Sequence, residues 1–88
     1  MELVVTLKEI SQKFDALIGG TESRESIEDW AQIRMEACDA RELRCEPRSE
    51  ESRLWNAVKY LLGVGLKTEH GYLFSPHDFE IYRQQHGF

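Results

Sequence analysis

Eighty-eight residues carry 16 acids against 11 lysines and arginines, a formal charge of −5, with 41% hydrophobic and 31% charged residues. Such a chain is expected to fold as one soluble domain, residues 1–88, around a modest core. Its acidic balance excludes a nucleic-acid binder, because phosphate contacts need concentrated Lys and Arg, and suits a basic protein as partner. The opening MELVVTLKEI lacks the basic start and long apolar run of a signal peptide. No stretch approaches the roughly 20 apolar residues of a membrane span. A cytoplasmic protein is expected, and Cys38 and Cys45, seven apart and not in a C-x-x-C pair, read as reduced thiols with at least one in the core.

In chain order, Leu3, Leu7, Ile10, Phe14 and Leu17 recur at spacings of four and three, one apolar face of a helix. Thr6 and Glu9 offer a capping box that starts this helix at Leu7, or the stripe carries it back to near Glu2; Gly19 and Gly20 end it. Thr21, Ser23 and Ser26 are candidate N-caps of a second helix, whose core face is Ile27, Trp30, Ala31, Met35, Ala37 and Cys38. Residues 40–48 lose the pattern and read as a fraying end and a connector. Ser49 opens a third helix with core face Leu54, Trp55, Val58, Leu61 and Leu62, stopped by Gly63 and Gly65. Residues 65–74 read either as a short hairpin turning at His70-Gly71 or as an ordered loop laying Leu66, Tyr72, Leu73 and Phe74 on the bundle. Ser75, Pro76 and Asp78 then supply N-cap, N1 and N3 of a last helix, with Phe79 and Tyr82 inward and Gly87 past its end. The expected fold is all-α: a compact four-helix domain with a short irregular or hairpin segment before the last helix.

Chemistry is sparse. His70, His77 and His86 are spaced by seven and nine, and neither interval places two ligands on one helical face, so no metal is expected. Neither cysteine carries a local catalytic signature, no phosphate loop is present, and no cofactor is expected. Trp30 and Trp55 both fall on core faces. Tyr60 lies off the apolar stripe of the third helix and reads either as a cover for the adjoining loop or as an exposed interface aromatic.

The marked feature outside the core is acidic. Residues 21–39 hold six acids against two arginines, whereas residues 40–53 are balanced, with four acids and four arginines. At helical spacing Glu22, Glu25, Glu28, Asp29, Glu36 and Asp39 lie within about 120° of one another, with Gln32 among them. Such a ridge is either a solvated helix face or a docking surface for a cationic partner. Like charges at i,i+3 and i,i+4 mildly destabilise a helix, and a general need for solubility would not gather them on one face.

The stretches LWNAVKYLLGVGLK and GYLFSPHDFEIY, in a short, acidic, helical chain, resemble small bacterial immunity proteins that protect cells against colicin-type or contact-dependent growth-inhibition toxins. The resemblance implies a non-enzymatic antitoxin that occludes the basic active site of a nuclease-type toxin. On this chain the expected partner-binding residues are Glu22, Glu25, Glu28, Asp29, Gln32, Glu36, Asp39 and Tyr60, in a monomer or weak dimer. Two other readings stand beside it: a small helical adaptor or regulatory domain that binds a neutral partner or itself, and an enzyme or metal protein built on the histidines.

Overall fold

The computed structural model describes residues 3–88. Four helices dominate: α1 Leu7–Gly19, α2 Arg24–Asp39, α3 Glu51–Leu61 and α4 Pro76–His86. Two small sheets join them, so the chain is mostly helical without being all-α. Strands β1 Leu3–Thr6 and β2 Leu43–Glu46 pair in parallel, and β3 Lys67–Thr68 pairs antiparallel with β4 Gly71–Tyr72.

Helix α1 starts at Leu7, where the Thr6 hydroxyl accepts from the Glu9 amide at 3.1 Å. It does not reach back toward Glu2, a residue outside the described ones. Leu3, Val4 and Val5 are extended instead, in register with Leu43, Arg44 and Cys45. The β-branched pair Val4-Val5 suits a pleated strand, and Val5 is fully buried there. Gly20, at φ +72°, caps α1 in the left-handed region, and its amide donates to the Ala16 carbonyl.

Of the three candidate caps for α2, Ser23 does the capping: its hydroxyl accepts from the Ser26 amide at 3.0 Å. Residues 40–48 are not simply a frayed connector. Arg41 takes a positive φ of 60°, Glu42 donates to the Ala37 carbonyl at 2.7 Å, and the chain turns into β2. Leu43 and Cys45 then point inward, alternating with exposed Arg44 and Glu46. A 3₁₀ turn over Arg48–Glu50 precedes α3, so Ser49 lies inside that turn and caps nothing. Helix α4 begins on a complete capping box between Ser75 and Asp78 and ends at Gly87 in the left-handed region.

The core gathers Val5, Ile10, Phe14, Leu17, Ile27, Ala31, Cys45, Leu54, Ala57, Val58, Leu61, Val64 and Phe79 from every helix and from the β1–β2 pair. Against it lies an aromatic layer. Tyr60 stacks on Tyr82 with ring centroids 3.9 Å apart, and Phe14 lies 5.5 Å from Tyr82 and 6.0 Å from Phe88. Arg83 of α4 pairs with Asp15 of α1, tying the last helix to the first. Among the described residues no helix is long and apolar enough to cross a membrane.

Candidate interaction surface

Helix α2 turns Ile27, Ala31 and Ala37 into the core and presents its acids on the opposite side. The structure divides the ridge in two. In the first half the acids serve the fold. Glu22 precedes the helix; its carboxylate accepts from Ser26 Oγ at 2.7 Å and from Lys13 Nζ at 3.1 Å, and the Ser26 bond leads in holding it below the usual carboxylate range. Glu25 is also lowered, first by its own backbone amide and then by the Tyr72 hydroxyl, which donates at 3.1 Å. Glu28 is half-buried and accepts from the Gly65 amide at 3.0 Å. These last two acids hold the segment that follows α3.

In the second half, Asp29, Gln32, Glu36 and Asp39 are exposed. Gln32 donates to Glu36 at 3.3 Å. Asp29, Glu36 and Asp39 form no ion pair among the described residues. Ile33, four residues after Asp29 and three before Glu36 on this helix, is exposed.

Arg24 fastens the other flank of this surface. Its guanidinium donates to the Val64 carbonyl at 3.1 Å and to the Phe74 carbonyl at 2.6 Å, the two ends of the hairpin segment. The same group lies 4.0 Å from the Tyr72 ring and 4.9 Å from the Phe79 ring. The β3–β4 hairpin therefore stands against the first turns of α2, held there by Arg24, Glu25 and Glu28.

Tyr60 is placed apart from this surface. Its half-buried ring packs among Phe14, Phe74, Phe79 and Tyr82. Desolvation pushes its phenol upward, as it does that of Tyr82. Of the two readings of Tyr60, cover or exposed anchor, the packing matches the cover. Of the two readings of residues 65–74, the hairpin is the one that forms: Leu66, Tyr72 and Leu73 are exposed rather than laid on the bundle, while Phe74 packs inward, as do Phe79 and Tyr82 of α4. Nothing in the spacing of residues 65–74 separated the inward from the outward side chains.

The histidines are dispersed. His70 is exposed in the hairpin turn, His77 lies 3.9 Å from Glu80 on the surface, and the His86 ring rests 4.1 Å from Tyr82. No three His, Cys, Asp or Glu residues among the described ones gather as metal ligands. Cys38, expected on the core face of α2, is exposed, although its neighbour Ala37 is buried. It lines an open cleft of about 300 Å³ with Leu43, Cys45, Glu51, Ser52 and Trp55. Burial raises the Cys45 thiol, with Glu51 and Cys38 adding to the rise, which keeps it protonated and a poor nucleophile.

No protein-family model, no curated protein and no solved structure matches this chain.

Proposed function

We propose that the chain is a non-enzymatic binding protein that neutralises a basic partner, in the manner of an immunity protein against a nuclease-type toxin, by laying the exposed half of the α2 ridge over the partner's cationic site. The observation that carries this reading is the set Asp29, Glu36 and Asp39: three carboxylates on one helix face with no ion pair among the described residues. Charges inside a compact acidic field steer a cationic partner into fast encounter. Glu22, Glu25 and Glu28 contribute to that field, but their side chains are committed within the fold.

The test is capture of the partner from the source cell, followed by association kinetics across ionic strength. The triple variant Asp29→Lys, Glu36→Lys, Asp39→Lys is expected to associate at least about tenfold more slowly at low salt, with a flattened salt dependence and little change in dissociation. Glu28 is left out of this variant because it accepts from the Gly65 amide. A steep salt dependence that survives the triple reversal would overturn the reading. A second reading, an adaptor that binds a neutral partner or itself, draws on the exposed leucines of the hairpin, and a salt-independent association would favour it.

A further inference from the structure

Fast encounter does not by itself hold a complex together; slow dissociation needs apolar side chains that leave water at the interface. Tyr60 is packed in the aromatic layer and does not supply them. The hairpin does. Lys67 pairs with Tyr72 and Thr68 with Gly71, so Leu66 and Leu73 face each other at the next position, where the Leu73 amide donates to the Leu66 carbonyl at 2.8 Å. Opposite residues of an antiparallel ribbon share a face. One face carries Tyr72, lying on Arg24 and bonded to Glu25. The other carries Leu66 and Leu73, which are 54% and 52% exposed.

This ribbon is also held in place. Arg24 bonds the carbonyls of Val64 and Phe74 at its two ends, Glu28 holds the Gly65 amide, and Glu25 holds the Tyr72 hydroxyl. Four contacts from the first turns of α2 make it a pre-ordered platform, so little ordering cost is left for binding. The same turns lead directly into Asp29, Gln32 and Glu36.

We infer that the Leu66–Leu73 pair is the apolar anchor of the partner interface, and that the segment it receives is a basic one: an apolar side chain of the partner flanked by Lys or Arg. The anchor sets dissociation, and the adjoining carboxylates select the charge of what docks. The inference rests on the reading of the α2 ridge as a docking surface, and the experiment separates the two.

The probes are three synthetic peptides: a Leu-Leu pair flanked by lysines, a Ser-Ser pair flanked by lysines, and a Leu-Leu pair flanked by glutamates. Binding is followed by NMR on the full chain through the methyl groups of Leu66 and Leu73 and the amides of residues 29–39. The lysine-flanked leucine peptide is expected to shift both sets. The serine peptide should shift the amides alone and bind at least about tenfold more weakly, and the glutamate peptide should shift neither. Leu66→Ser with Leu73→Ser, both on exposed sites, should leave the thermal melt nearly unchanged and reduce the leucine peptide to the serine peptide's affinity. Full-strength binding to that double variant would overturn the anchor. Equal binding of the glutamate peptide would overturn the basic partner, and methyl shifts that change on dilution without peptide would give the face to a second copy of this chain. If the leucine peptide keeps its affinity for the Asp29→Lys, Glu36→Lys, Asp39→Lys variant and loses it for the serine variant, the anchor stands and the ridge reading falls. The opposite pattern sinks the anchor alone.

Discussion

Arg24 makes more of the fold than its position on a charged helix suggests. One guanidinium satisfies two carbonyls at either end of the hairpin segment and lies against two aromatic rings. A lysine at this position keeps the charge but not the flat, forked donor set. Arg24→Lys is therefore expected to cost roughly 1–3 kcal/mol, the scale of leaving a partly buried acceptor without its donor. Denaturant unfolding measures it, and amide exchange at Leu73 should quicken more than exchange in α1. The phenols of Tyr60 and Tyr82 make a second prediction at this scale. Desolvation raises both above the ordinary value of 10.0. The folded chain holds these protons more tightly than the unfolded chain, so their contribution is complete below about pH 10 and is lost as pH rises through the raised folded values. Tyr60→Phe with Tyr82→Phe should flatten the fall in stability over that alkaline range, checked by denaturant midpoints at stepped pH.

Among the elements, α4 has the most explicit local instructions. Ser75 accepts from the Asp78 amide while Asp78 accepts from the Ser75 amide at 2.7 Å, and Pro76 sits at N1. Ser75→Ala should cost about 1 kcal/mol, read from thermal or denaturant melts. Helices α1, α2 and α4 were legible because their signals are local: caps, glycines and a period of three to four. The β1–β2 pair was not. Leu3 and Leu7 extend the α1 stripe backward, so periodicity alone favoured helix where the β-branched residues Val4 and Val5 take up extended backbone. Their partners lie some forty residues away, and no local spacing announces a parallel register. The alternation of Leu43, Arg44, Cys45 and Glu46 was present but spans only four residues. The ridge was legible as a face. What it did not disclose was which acids the fold had already engaged, since Glu25 and Glu28 find their partners on a segment 47 and 37 residues further on.

At the scale of the whole molecule, the last third of the chain closes the core. Phe79 is fully buried, and Phe74, Tyr82 and Phe88 lie against the same cluster. Phe79→Ala should destabilise by about 3–5 kcal/mol, a large part of what a domain of this size has in total. A chain ending at Val64 would strip Phe14 and Tyr60 of the rings of Phe74, Phe79, Tyr82 and Phe88 and is expected to lose its cooperative thermal transition, followed by circular dichroism. The parallel seam has a further consequence during synthesis. Strand β1 leaves the ribosome first, yet the strand that pairs with it is complete only at Glu46. At roughly 5–20 residues per second, Leu3, Val4 and Val5 wait about two to eight seconds as an unpaired apolar strand. Helices α1 and α2 can form during that wait, whereas the strand's own partner does not yet exist. Nascent chains stalled before Leu43 should therefore associate with each other or with chaperones through β1, and the complete chain, with β1 paired and the core closed, should not.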